Sequence, residues 1–317
     1  MPKMKPKDTI LITGGAGFIG LNLCKKFLDL DMKVIVFDNL STGKIKNITE
    51  FIPIKNFKFI KGDANSFKDI KKIFDNYKID YVFHYAAMVG VERTLKNPLG
   101  VFEDIDGIKY ILELSQKHKI KKVVYSSSSE VYGEPTEIPE KEDSTPLNAR
   151  LPYANVKAIG ENYLKAYFNT YHLPTVSLRF FNVYGPKQSK DFVVSKFIRQ
   201  AILQKPLIIF GNGKQTRDFV FIEDNIKASV KTLYTNKVDG HAINIGTGKA
   251  ISIKNLAEKI IKITGSKSKI TFLPPRKEGD MERRCPDITK MKKKLNYIPK
   301  HSIDNGLKVT YNWFKNL

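Results

Sequence analysis

Cysteine and tryptophan are scarce in these 317 residues: there are two Cys and one Trp. Cys24 and Cys285 have no metal-ligand spacing and suggest no disulfide framework, so no metal site is expected and a reducing compartment is. No run approaches the ~18 apolar residues that a membrane helix needs. The basic opening, Met1 to Lys7, leads into a strand and a glycine loop rather than the apolar core of a signal peptide, and the cytoplasm is the expected location. Acidic residues are also in short supply, 32 against 54 basic, for a net charge of +22. All but eight of the basic residues are lysine, scattered over what read as polar helix faces. No nucleic-acid motif accompanies them, so the excess reads as a solvated surface that would also attract an anionic substrate. A nucleic-acid or membrane partner is not expected. The 42% hydrophobic content is ordinary for a globular chain of this length and argues against disorder.

Strand and helix signals alternate through the first 180 residues. Short apolar strands are predicted at Thr9–Thr13, Lys33–Phe37, Phe57–Ile60, Tyr81–His84, Lys122–Ser126 and Thr175–Phe180. Amphipathic helices are predicted at about Leu21–Leu30, Phe67–Tyr77, Val101–His118 and Pro152–Tyr171. This alternation predicts an α/β protein: a Rossmann-type, doubly wound parallel sheet with helices on both faces. After Asn182 the loops lengthen, and Gly211-Asn212-Gly213 and Gly246-Thr247-Gly248 punctuate short strands. Further helices are predicted near Val193–Leu203, Ile222–Thr235, Ile253–Thr264 and Ile303–Asn316. The expectation is a dinucleotide-binding domain over 1–180, joined by strands returning from roughly 214–248. A smaller mixed α/β substrate domain over 181–317 would leave a cleft between the two.

Gly14-x-x-Gly17-x-x-Gly20 falls between the first strand and the first helix, where a phosphate-binding loop belongs. Gly14 permits the tight turn, Gly17 the close approach of backbone to pyrophosphate, and Gly20 the close helix–strand contact. The helix N-terminus then faces the anion. Asp38 closes the second strand, where a carboxylate accepts hydrogen bonds from the adenosine ribose. It would repel a 2′-phosphate, which favours NAD over NADP.

The run Thr13-Gly14-Gly15-Ala16-Gly17-Phe18-Ile19-Gly20 resembles the extended short-chain dehydrogenase/reductase family, and within it the nucleotide-sugar epimerases and dehydratases, UDP-glucose 4-epimerase among them. The likeness continues in Gly62-Asp63, in His84-Tyr85-Ala86-Ala87, in Tyr125 through Gly133, in Tyr153-Ala154-Asn155-Val156-Lys157 and in Arg179 through Pro186. Gln215 through Val220 and Asn244 through Gly248 complete it, so it spans nearly the whole chain. It implies that NAD is also contacted by Phe18, Ile19, Asn39, Asp63, Ala64, Tyr85, Ala86 and Ala87. It implies substrate contacts from Val89, Ser129, Asn182, Arg217, Arg276 and Asp280. At Pro275-Arg276-Lys277-Glu278-Gly279-Asp280, Lys277 stands at the family's arginine position and Arg276 one residue earlier, so either cation could meet the diphosphate. A homodimer through the helices near Val101–His118 and Pro152–Tyr171 is also implied.

Residues four apart on a helix share a face, so Tyr153 and Lys157 point into one pocket. The ammonium, with the cationic nicotinamide, is expected to lower the Tyr153 pKa so that Tyr153 takes a proton from a sugar hydroxyl. The resemblance places the partner hydroxyl at Ser128. Two departures stand out: Val156 where many relatives carry serine, and Asp104 where many carry asparagine.

Oxidation at the sugar C4 is common to the group, and the fate of the ketone differs between its members. Dehydratases of the family typically carry Asp-Glu after the catalytic hydroxyl; here the pair is Ser129-Glu130. That keeps the C5 base candidate and loses the acid candidate. Some 4,6-dehydratases and the glucuronate decarboxylases resemble the Ser-Glu version. Ala86 through Val91 resembles the epimerase loop. A UDP-hexose 4-epimerase is therefore the leading reading, with a 4,6-dehydratase or a decarboxylase behind it. A non-catalytic NAD- or RNA-binding relative is a distant alternative, opposed by the intact Ser128, Tyr153 and Lys157.

Overall fold

The computed structural model describes residues 7–275 and 281–317. Twelve strands and eleven α-helices alternate along the described chain. The strands are β1 (Thr9–Thr13), β2 (Lys33–Asp38), β3 (Phe57–Lys61), β4 (Tyr81–His84), β5 (Lys122–Ser128), β6 (Thr175–Phe180), β7 (Asn182–Tyr184), β8 (Leu207–Phe210), β9 (Thr216–Phe221), β10 (His241–Ile245), β11 (Ala250–Ser252) and β12 (Ile270–Leu273). The helices are α1 (Phe18–Leu28), α2 (Phe67–Asn76), α3 (Val91–Lys96), α4 (Pro98–Phe102), α5 (Asp104–Lys117), α6 (Pro152–Tyr171), α7 (Val193–Ile202), α8 (Ile222–Lys231), α9 (Ile253–Thr264), α10 (Thr289–Leu295) and α11 (Ile303–Lys315).

Seven strands form one sheet in the order β10-β6-β5-β4-β1-β2-β3, and every neighbouring pair is parallel. Its apolar strands send alternate residues to opposite faces. From β1, Ile10 and Ile12 enter the core that includes Leu23 and Phe27 of α1, while Leu11 enters the core that includes Ile70 of α2, Ile111 of α5 and Val156 of α6. Because helices cover both faces, the strands need no polar side, which is why they read as continuous apolar runs. Truncating Ile12, wholly buried, to Ala would cost about 2–5 kcal/mol by the usual cavity rule.

Of the strands between 214 and 248, β10 joins this sheet beside β6. β9 instead pairs with β7 in parallel and β11 antiparallel, making a separate three-stranded sheet, and β8 pairs with β12. The single helix predicted near Val101–His118 is two, α4 and α5. Asn97 caps the first through Gly100, and Pro98 suits the first turn of a helix. Since all seven strands run the same way, their carboxyl ends share one edge. Thr13, Asp38, His84 and Ser128 are the last residues of β1, β2, β4 and β5. Ligands of open parallel sheets sit at this edge, where the strand order reverses between β1 and β4.

Candidate active site

The glycine loop is shaped by contacts that exclude side chains. Gly14 has φ +70°, and a Cβ there would lie 2.7 Å from the Ala86 nitrogen. A Cβ at Gly20 would lie 2.3 Å from the Gly14 oxygen. Helix α1 starts at Phe18, and no side chain caps it at Gly17, so its first-turn amides are not claimed by a cap. Asp38 is buried beside this loop; its carboxylate accepts from the Ala16 amide at 3.0 Å and the Leu40 amide at 2.8 Å. Burial raises its pKa and the two amides oppose that. Asn39 turns back on Ser41, and Asp63 accepts from the Asn65 amide beside the buried Ala64.

The segment after β4 is pinned against the glycine loop. The Thr13 hydroxyl oxygen accepts from the amides of Tyr85 and Ala86, both at 3.1 Å. Its own proton therefore goes to His84 Nδ1, 2.8 Å away, which makes His84 the Nε2–H tautomer. Burial agrees, pushing the His84 pKa down to about 3 so that the ring stays neutral. Tyr85 donates to Ser229 on α8, and the Met88 amide donates to Asp104 at 2.8 Å. The Val89 carbonyl accepts from Arg93, and Ala87 lies between these anchors.

Ser128 ends β5 and Tyr153 is in the first turn of α6, and the Ser128 hydroxyl acts on the Tyr153 phenol, opposing the rise in its pKa. Lys157, one turn on, is buried with Nζ 4.7 Å from the Tyr125 ring centroid, 5.6 Å from that of Tyr153 and 3.5 Å from the Ser126 hydroxyl. The lowered Tyr153 pKa expected from the sequence is not what the protein residues produce. Burial raises it well above the ordinary phenol value, with the charges of Glu130 and Asp104 adding to the rise and the Ser128 hydroxyl opposing it. Lys157 itself is pushed down to about 8 by burial, against the opposing pull of Asp104 and Glu161.

Glu130 donates its amide to Ser128 Oγ at 3.2 Å, while its carboxylate meets Arg284 at 2.7 Å. Arg284 is fully buried and also donates to Ser129 Oγ at 3.2 Å and the Gly133 carbonyl at 2.9 Å. Beneath the same segment, Arg179 forks onto Glu161 and donates to the Tyr132 hydroxyl; Glu161 also accepts from Ser127. Neither arginine is identified by sequence spacing as a support of the site. Arg284 stands 154 residues after Glu130, and the pairing of the segments around Glu140 and Pro286 brings the two together.

Among the residues expected to meet a substrate, the Asn182 amide donates to the Asp218 carbonyl, and Arg217 donates to the carbonyls of Thr216 and Met281. Arg276, Lys277 and Asp280 lie outside the described residues. No helix among the described residues is long and apolar enough to cross a membrane.

The parallel sheet, the glycine turn at its reversal point and the Ser128–Tyr153–Lys157 group define a Rossmann-type enzyme of the epimerase and dehydratase class. Residues 11–310 match the family model described as GDP-mannose 4,6 dehydratase, and the chain belongs to that family. It is 36% identical over 315 residues to a putative UDP-glucose 4-epimerase of Methanocaldococcus jannaschii, covering 97% of this chain and 98% of that one. It is 36% identical over 329 residues to a UDP-N-acetyl-alpha-D-glucosaminuronate decarboxylase of Bacillus cytotoxicus, covering 98% and 99%. The solved structure of UDP-glucuronic acid 4-epimerase from Bacillus cereus, in complex with UDP-glucuronic acid and NAD, is 34% identical and superposes with a TM-score of 0.90 over 97% of this chain and 99% of that one. The resemblance read from the motifs is thus borne out.

Proposed function

We propose that this protein is an NAD-dependent epimerase that oxidises C4 of a UDP-hexose to a transient ketone and returns the hydride to the other face of the sugar. The observation that carries the reading is the convergence of Ser128 at the carboxyl end of β5, Tyr153 in the first turn of α6 and the buried Lys157, whose Nζ is 5.6 Å from the Tyr153 ring centroid. The residues around the glycine turn fit a dinucleotide. Gly14 and Gly20 leave no room for a Cβ, α1 has no side-chain cap, and the Asp38 carboxylate is held by backbone amides at the end of β2. NAD, when bound, supplies the hydride acceptor. Tyr153 takes the C4 hydroxyl proton, Ser128 hydrogen-bonds the same oxygen, and Lys157 supplies positive charge that favours the phenolate. Arg217 and Asn182 lie in the segments assigned to the UDP end.

Epimerisation is preferred over dehydration because of Glu130. Its carboxylate is engaged by the fully buried Arg284 guanidinium at 2.7 Å, so it is committed to a protein partner rather than left unpaired toward the sugar. A second reading, 4,6-dehydration or decarboxylation, rests on the Ser129-Glu130 pair and on the similarity to the Bacillus cytotoxicus decarboxylase. The test is incubation of purified protein with UDP-, GDP- and TDP-sugars, with and without NAD, and product analysis by mass spectrometry and NMR. Unchanged mass with an inverted C4 signal supports the epimerase. Loss of water, or of carbon dioxide from a uronate, overturns it.

A cytoplasmic homodimer through α5 and α6 is part of the same reading. Exposed Leu99, Phe102 and Tyr171 on α4 and α6 are apolar surface that pairing would cover. Sedimentation as a monomer would remove it.

A further inference from the structure

Tyr125 is buried in the middle of β5 and takes no part in the C4 chemistry. Burial holds its phenol far above the ordinary range, so the side chain is neutral. A neutral aromatic ring carries negative charge density on its faces. Lys157 Nζ lies 4.7 Å from the centroid of this ring and 5.6 Å from that of Tyr153. Both distances fall within the ~6 Å over which a cation is drawn to a ring face. The other described support is weaker. The hydrogen bond from Nζ to the Ser126 hydroxyl is long, at 3.5 Å. Among the described residues no carboxylate pairs with Lys157 directly, and Glu161, one turn along α6, is gripped by Arg179 through both its oxygens. The ring is also held from two sides. His84 on β4 stacks on it at 5.9 Å with 18° between the planes. On α6, a Cβ at Gly160 would lie 2.5 Å from the Tyr125 hydroxyl oxygen, so the missing side chain lets the helix lie this close over the ring.

We propose that Tyr125 is a positioning residue of the reaction: the face of its ring is the seat of the Lys157 ammonium and holds that charge beside Tyr153 where no carboxylate pairs with it directly. The proposal rests on the C4-oxidising reading for its kinetic consequence, and on the geometry alone for its effect on Lys157. The groups facing Lys157 are Tyr125 and Ser126 from β5, Tyr153 and Glu161 from α6, Asp104 from α5 and neutral His84 from β4. A ring face attracts the ammonium and not the neutral amine, and the attraction is strongest where water is excluded. Burial works the other way and favours the amine. Weakening the charge on the ring face, with the ring's shape kept, should therefore make Lys157 easier to deprotonate.

The test changes the electronics of the ring. In protein labelled with 13C at lysine Cε, the resonance absent from Lys157→Met reports Lys157 without any substrate. Tyr125→Phe keeps the ring face and should keep the wild-type midpoint. Phenylalanines bearing one, two and three ring fluorines at position 125 withdraw face charge in steps. They should lower the midpoint in steps, by about one pH unit in all, the size of a desolvated cation–ring contact. Tyr125→Leu, which keeps the place apolar and removes the ring, should lower it as far. The alkaline limb of the kcat–pH profile should move down with the midpoint and stay in place in Tyr125→Phe. A midpoint that ignores fluorination in folded protein overturns the proposal, as does a kcat profile that drops in height with its alkaline limb in place. If the wild type turns over no nucleotide sugar, the functional reading fails, and the NMR midpoint still decides the role of Tyr125.

Discussion

Arg284 and Glu130 form an ion pair at 2.7 Å, in which the arginine is fully buried and the carboxylate is partly open to solvent. It ties the loop after β5 to a segment from the far end of the chain. The same guanidinium bonds Ser129 and the Gly133 carbonyl, so it fixes the shape of the loop as well as its charge. Arg284→Met should lower stability by about 2–3 kcal/mol, below the 3–5 kcal/mol of fully buried pairs because water can reach the freed carboxylate. Urea unfolding measures this. A variant of wild-type stability would show that the pair contributes nothing net.

Glu130→Gln separates the two readings of the reaction. For an epimerase, kcat should stay within about tenfold of the wild type, because the side chain takes no proton. For a dehydratase or decarboxylase, the same change should remove most of the activity, by about 10²–10⁴ in kcat. Steady-state kinetics on whichever sugar is turned over gives the answer.

Gly14→Ala should abolish high-affinity dinucleotide binding. The new methyl would sit 2.7 Å from the Ala86 amide at a φ of +70°, so either the glycine turn or the segment after β4 must move. Strain of about 1–3 kcal/mol in the folded state is expected. Calorimetric titration with NAD and thermal unfolding test the two effects separately, and wild-type values in both would refute them.

The Tyr153 hydroxyl should resist ionisation until the cofactor's positive charge arrives. Burial alone holds it above the ordinary phenol range. An added cation beside it favours the phenolate, so the difference in ultraviolet phenolate absorbance between wild type and Tyr153→Phe should shift to lower pH when NAD+ is added. A shift in the other direction, or none, would mean that Tyr153 is not beside the nicotinamide.

Glu140 should make the protein less stable as pH rises. Its carboxyl is fully buried, and burial raises its pKa from 4.5 to about 7 in the fold. Between those values the folded state binds more protons than the unfolded one, so stability falls with rising pH through this window and levels off above it. The lost stability is about 2 kcal/mol, taking each pKa unit as ~1.4 kcal/mol and discounting for relaxation. Glu140→Gln should flatten the urea midpoint between pH 5 and 8; an unchanged slope would place the carboxyl in water.

Much of this protein was determined by local signals. Alternation in strands buried on both faces set the sheet, and a glycine turn with an aspartate at the end of the next strand set the dinucleotide edge. Tyr153 and Lys157 shared a face because a helix repeats every 3.6 residues, and Ser128 met Tyr153 because parallel strands share one carboxyl edge. The electrical state of the site was decided only by tertiary structure. No spacing relates Glu130 to Arg284, or pairs Glu161 with Arg179. Nor does local sequence reveal that Lys157 would be buried between the Tyr125 and Tyr153 rings. Charge balance inside a protein depends on which groups lose water together, and packing between distant segments determines that.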